Sequence, residues 1–212
     1  MIVTKFGGSS LANAQMFAKV GDIVWANPDR RIVVVSAPGK DIENRVKVTD
    51  HLIQVCELRQ ANQAWRTVWQ EIKSRFIQIA TELGVALEDM SQQFRLIEKH
   101  IGSSRPNYHY IVSRGEYLNA RIMASYLGFD FLDAAKLVFF DRAGKVHPVT
   151  YERIREICCE GGMYVIPGFY GTQGKATYTF PRNGSDISGA ILAAALKAEC
   201  YENWSDCPLK AT

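Results

Sequence analysis

Apolar residues in this chain gather in short dense runs, separated by longer stretches where they recur every three or four positions. MIVTKF, RIVVVSA, YHYIV, FDFLDA, LVFF, MYVIPG, TYTF and CYENW are rich in β-branched and aromatic residues and predict strands. The unbroken IVVV run suits a strand covered on both faces. Between the first two runs, Phe17, Val20 and Val24 have helical spacing, in a helix that should end near Asn27 and Pro28. From residue 49 to about 102 no strand is evident. There Trp65, Val68, Ile72, Phe76, Ile79 and Leu83 form one apolar stripe, predicting an excursion of two or three helices. Core packing explains that stripe, with a partner surface as the alternative. Further helices are expected over 116–127, 151–160 and 187–198. Strands alternating with helices predict an α/β fold, a three-layer αβα sandwich around a mostly parallel sheet.

Composition narrows the setting. The 212 residues are 47% hydrophobic and 22% charged, ordinary for a globular domain with a sizeable core. A net charge of +3, with basic residues scattered, points to no nucleic acid partner. The run ISGAILAAALKA is too short to span a bilayer, and the first residues lack a secretory layout. Five cysteines without CxxC spacing argue for reduced thiols and a cytoplasmic setting.

Ligands of open parallel sheets bind beyond the carboxyl ends of the strands, and three polar corners fall at such places. The first is Lys5-Phe6-Gly7-Gly8-Ser9-Ser10. Its glycines leave room for an oxyanion, and the following N–H groups should open a helix whose dipole favours negative charge. A tight strand–helix corner is the commoner reason for such a glycine pair on its own. Lys5 in an otherwise apolar strand tips the balance, because a buried ammonium requires a carboxylate or a phosphate. The second corner is Ser113-Arg114-Gly115-Glu116, after YHYIV, where Glu116 also complements a helix dipole. The third is Pro181-Arg182-Asn183-Gly184-Ser185-Asp186, with Ser185 or Asp186 as a helix cap and Arg182 able to fork onto a carboxylate or phosphate. Together the corners suggest a site for a zwitterion and a phosphorylated ligand.

KFGGSS, VVVSAPGK, VTDHLI, SRGEYLNA, PGFYG and RNGSD, in this order, resemble the motifs of aspartate kinases within the amino-acid kinase superfamily, from Met1 to about Asp206. The resemblance implies phosphoryl transfer from MgATP to the β-carboxylate of L-aspartate, giving 4-phospho-L-aspartate for lysine, threonine and methionine synthesis. It implies that Lys5 stabilises the transferring phosphoryl group and that Asp186 orients Lys5. Gly7, Gly8, Ser9, Gly184, Ser185, Ser205 and Asp206 would meet ATP phosphates or the nucleotide. Glu116 would take the substrate ammonium and Arg182 its α-carboxylate, with Thr49 and Ser36 lining that pocket. Mg²⁺ would ride mainly on the nucleotide, so no protein metal ligand is assigned.

Physical chemistry agrees with such a reaction. A side-chain carboxylate with a pKa of about 3.9 is already a nucleophile at neutral pH, so no base is needed. His51, His100, His109 and His147 lie outside the motifs and read as ordinary surface or core residues. The obstacle is repulsion between two anions, which an ammonium, backbone amides and Mg²⁺ offset.

Two departures matter. The family's Arg-Gly-Gly-Ser-Asp reads Arg182-Asn183-Gly184-Ser185-Asp186 here, and asparagine is among the residues most tolerant of positive φ. After Asp206 the chain leaves the family pattern, so it resembles a truncated catalytic domain. About 1–170 would be the acceptor-binding half and about 171–212 the start of the nucleotide half, without an ACT regulatory domain. CYENW would then be an open sheet edge favouring self-association, possible as a homo-oligomer. The alternatives are a non-catalytic piece that binds acceptor or partner subunits, and a related kinase with another acceptor. No GxGxxG follows a strand, which disfavours a dinucleotide binder.

Overall fold

A computed structural model of the chain describes residues 1–158, 161–181 and 183–205. Five strands form one parallel sheet in the order β3-β5-β2-β1-β8. They are β1 (Ile2–Phe6), β2 (Arg30–Val35), β3 (Asp130–Phe131), β5 (Tyr164–Pro167) and β8 (Cys200–Trp204). β2 lies at the centre because Ile32, Val33, Val34 and Val35 are apolar on both faces, and all four are buried. β8 lies at an edge and is correspondingly polar. Arg30 ties it inward, donating from Nε and Nη2 to the two carboxylate oxygens of Glu202 at 2.8 and 3.1 Å.

Helix α6 (Arg114–Leu127) packs on β2, β3 and β5, with α1 (Ala14–Trp25) beside it. Helix α8 (Gly184–Leu196) packs on β1, β2 and β8, with α7 (Val149–Ile157) beside it. The sheet is thus flanked by helices. The excursion is three helices, α2 (Val48–Gln60), α3 (Trp65–Glu82) and α4 (Glu88–Ile101). Trp65, Val68, Ile72, Phe76 and Ile79 on α3 are all buried, so the stripe is core. Among the described residues no helix is long and apolar enough to cross a membrane.

Two expectations are corrected. YHYIV forms a short helix, α5 (Tyr108–Val112), instead of a strand. The Asn107 side chain accepts from Tyr110 N at 2.8 Å, a cap that turns the chain helical despite its β-prone composition. The second corner is therefore a junction between two helices. Conversely, Tyr170–Gln173 forms a strand that composition did not signal. This β6 pairs with β4 (Phe139–Phe140) and, antiparallel, with β7 (Ala176–Thr179) in a second small sheet.

Candidate functional site

All five strands of the main sheet run parallel, so β1, β2 and β5 end on one side and pass into the polar corners there. Lys5, one residue before the end of β1, is buried between Val34 of β2 and Asn203 of β8 in the ladder. Its ammonium reaches Oδ1 of Asp186 at 2.5 Å, and Asn203 Nδ2 donates to the same oxygen at 3.2 Å. Lys5 is only 8% exposed in its side chain and Asp186 is 40% exposed. The cation is the dehydrated partner and the carboxylate is half in water.

Gly7 follows with its N–H donated to the carbonyl of Trp204 at 3.0 Å. A Cβ placed there would lie 3.7 Å from the Lys5 ammonium, so the charge faces the glycine turn. Gly8 has ordinary right-handed dihedrals, and its need for glycine is one of space. A Cβ on Gly8 would meet the Ala37 carbonyl at 2.8 Å. Gly39, in the loop after β2, donates its N–H to Gly8 O at 2.7 Å, and a Cβ there would meet Gly8 C and Ser9 N at 2.6 Å. The two loops cross backbone on backbone. Ser9–Leu11 is a single turn of 3₁₀ helix, and α1 begins only at Ala14 with Asn13 as its cap. The expected long helix opening directly on Ser9 is thus replaced by a short turn, too brief to carry a macrodipole. Gly39→Ala is expected to lower stability by about 1–3 kcal/mol, as overpacking of this kind does, and to open the crossing. Thermal melting with amide exchange at residues 7–12 checks it.

Ser36 is half-buried at the end of β2; its N–H donates to Phe6 O at 3.2 Å and its carbonyl accepts from Asn119 Nδ2 at 2.7 Å. Thr49 is half-buried in the first turn of α2, which is fastened to the same loop by Val48 N donating to Pro38 O at 3.2 Å. Glu116 sits in the first turn of α6, as a dipole-complementing carboxylate should, yet it is buried rather than solvated. Gly115 makes this approach possible, since a Cβ there would meet Ala37 Cβ at 2.7 Å. Burial pushes the Glu116 carboxyl up to about 8, against opposing pulls from its own N–H, the Ala37 N–H and the Arg114 charge. Oε2 of Glu116 has no hydrogen-bond partner. Arg114 itself is buried, stacked on Tyr110, Tyr117 and Tyr170 at 4.2, 4.3 and 5.1 Å.

At the third corner Asn183 adopts the left-handed conformation (φ 48°, ψ 32°), which asparagine tolerates, and Gly184 opens α8. Neither Ser185 nor Asp186 caps the helix; both lie within its first turn, and the Asp186 side chain is engaged by Lys5. A Cβ on Gly184 would meet the Phe169 ring at 2.7 Å, and one on Gly168 would meet Ser185 Cβ at 2.6 Å. Phe169 holds φ at 80°, a strained value for an aromatic residue, and its N–H donates to Ser188 Oγ at 3.1 Å. The end of β5 is thus bolted to the start of α8. Ser205 is exposed just past β8. Arg182 and Asp206 lie outside the described residues.

Lys5, Gly7, Gly8, Ser9 and Asp186 are therefore gathered at one corner. Ala37 joins them to Glu116, with its carbonyl against Gly8 and its N–H on the Glu116 carboxylate. Sequence reading passed over Gly39, Asn119, Asn203 and Phe169. Gly39, Asn119 and Phe169 lie inside quoted motifs, but the backbone strain at Phe169 comes from its packing against α8.

A parallel sheet flanked by helices in this order has counterparts among known proteins. The chain belongs to the amino acid kinase family, which matches residues 1–208. Within that family it is 34% identical to aspartokinase 3 of Bacillus subtilis, over 97% of this chain and 48% of that one. The crystal structure of Clostridium acetobutylicum aspartate kinase superposes with a TM-score of 0.92 at 38% identity, covering 97% of this chain and 48% of that chain. Escherichia coli aspartokinase III, solved with lysine and aspartate, shares the fold with a TM-score of 0.84 at 24% identity over 98% of this chain and half of that one. The chain spans about half the length of these relatives.

Proposed function

We propose that this chain forms the acceptor-binding and phosphate-cradling part of an aspartate kinase. In the reaction, an oxygen of the L-aspartate β-carboxylate bonds to the γ-phosphorus of ATP, the bond to ADP breaks, and 4-phospho-L-aspartate results. The observation that supports this reading is the presence of two unusual ionisable groups: a buried ammonium facing a glycine turn, and a buried carboxyl group with an unpaired oxygen. One suits an anion and the other a cation, and a zwitterion beside a phosphate supplies both.

Lys5 neutralises charge on the transferring phosphoryl group, and Asp186 with Asn203 holds the ammonium in place. Gly7, Gly8, Ser9, Gly184 and Ser185 line the phosphate side, with Ser205 and Asp206 toward the nucleotide. Glu116 receives the substrate ammonium, Arg182 its α-carboxylate, and Thr49 and Ser36 close the pocket. The chemistry of this donor set fits a phosphate, and bound MgATP brings the phosphoryl group and the divalent charge. Residues 1–170 serve the acceptor and the remainder begins the nucleotide side.

Titration calorimetry with L-aspartate and with MgATP, combined with hydroxylamine trapping of the acyl phosphate, tests this. Binding of both with trapped hydroxamate supports the kinase reading. Because the chain spans about half its relatives, a second reading is an acceptor-binding module without catalysis. Aspartate binding without nucleotide binding selects it. Binding of neither ligand rejects both.

A further inference from the structure

The glycine crossing raises the question of what holds it. Leu11 and Ala37 seat the two loops in the apolar core, and a gap remains beside them. A cavity of about 540 Å³ lies there, lined by Ser9, Asn13, Asp41, Asn44, Arg75 and Gln78. What spans it is polar. Arg75, on α3, donates from Nη2 to the carbonyls of Ala12, at 2.9 Å, and Gly39, and from Nη1 to Val46 O at 3.1 Å. Asp41 adds a second tie: its Oδ1 accepts from Asn44 N at 2.6 Å and its Oδ2 from Asn13 Nδ2 at 3.1 Å.

The three carbonyls held by Arg75 occupy three separate places in the site. Ala12 ends the 3₁₀ turn that follows the first corner. Gly39 is the residue that crosses Gly8. Val46 stands two residues before α2, which carries Thr49 in its first turn. One guanidinium thus sets the phosphate corner, the crossing and the entry to the acceptor helix relative to each other.

The position is costly for a charge. Arg75 is 7% exposed and sits in the apolar stripe between Ile72 and Ile79. Its Nε is buried without a partner, and burial holds the guanidinium below its usual range. An apolar residue would fill this stripe but would leave three backbone carbonyls without their donor. The fork geometry is what only arginine offers.

We propose that Arg75 is a positioning residue for the acceptor and phosphate pocket: its guanidinium clamps the two crossing loops and the start of α2 into one arrangement. The effect on ligands rests on the kinase reading above, whereas the clamp itself does not.

Arg75→Met keeps the packing volume, and Arg75→Lys keeps the charge but loses the fork. Amide exchange, melting temperature and L-aspartate affinity are measured on the whole chain for both. The clamp predicts exchange at least tenfold faster in 8–13 and 38–49, with β2 and α6 unchanged, and a melting temperature for Arg75→Met below that of wild type. Aspartate affinity should fall at least tenfold in Arg75→Met and be partly rescued in Arg75→Lys. Unchanged exchange in the two loops, or faster exchange spread evenly over the chain, overturns the clamp. Wild-type affinity in both variants overturns its role in the pocket. Localised faster exchange in Arg75→Met, with a wild-type protein that binds neither aspartate nor MgATP, supports the clamp and rejects the kinase reading.

Discussion

On the kinase reading, Lys5→Met is expected to fold as well as the unaltered chain and to lose phosphoryl transfer. The side chain is of similar length, packs in the same buried slot and carries no charge. Removing it leaves Asp186, 40% exposed, free to take up water in place of the ammonium. The converse change is harsher. Asp186→Asn strands an ammonium whose side chain is 8% exposed, with Asn203 unable to neutralise it. Losing one partner of a buried pair costs about 3–5 kcal/mol, and this site should fall toward the low end because one member is half solvated. Melting should therefore rank Lys5→Met above Asp186→Asn. Activity should not follow that ranking. A single donor aimed at developing charge is worth about 10²–10³ in rate, and hydroxamate trapping should show at least that loss for Lys5→Met. MgATP affinity should fall with it. A Lys5→Met protein that still forms acyl phosphate at the original rate would remove the ammonium from the mechanism.

How far the sequence revealed this depends on the range of the interactions concerned. β1, β2 and β5 were legible because a strand buried in a parallel sheet needs continuous apolar, β-branched residues, a local property, and β8 from its aromatic residues Tyr201 and Trp204. The phosphate corner was legible because Lys5 breaks an apolar run and two glycines follow it. α5 was misread because Tyr108–Val112 has the composition of a strand, and only the Asn107 cap decides otherwise. β6 was missed because four residues beginning with Tyr170 form a strand through pairing with β4 and β7, not through their own preference. The clamp contains a lesson of the other kind. Arg75 reaches carbonyls 29, 36 and 63 residues away, which no local pattern contains. Its signal was present all the same, as one charge at the helical spacing of Ile72 and Ile79 inside the stripe. Buried charges in apolar stripes merit the attention given to glycine turns.

Glu116 carries the other large effect, and its sign follows from where the carboxyl sits. In the unliganded fold the group is held up near 8 by burial, while an exposed glutamate titrates near 4.3. Between those values the folded protein holds a proton that the unfolded chain releases. The stabilisation is complete below about 4.3 and is lost as pH rises through about 8, at up to roughly 1.4 kcal/mol per pH unit. Glu116→Gln should flatten that slope in melting curves. A substrate ammonium reverses the balance, because it pairs with the anion and expels the proton. Aspartate affinity should then climb by up to about tenfold per pH unit between roughly 5 and 8. Calorimetry at pH 6.5 in two buffers of different ionisation enthalpy should report close to one proton released per aspartate bound. Glu116→Gln should report none and bind at least about tenfold more weakly, since a neutral amide replaces a charged partner. The Ala37 N–H that already donates to this carboxylate remains available in both forms, so the difference isolates the charge. Heats that are the same in both buffers would place the ammonium elsewhere in the pocket.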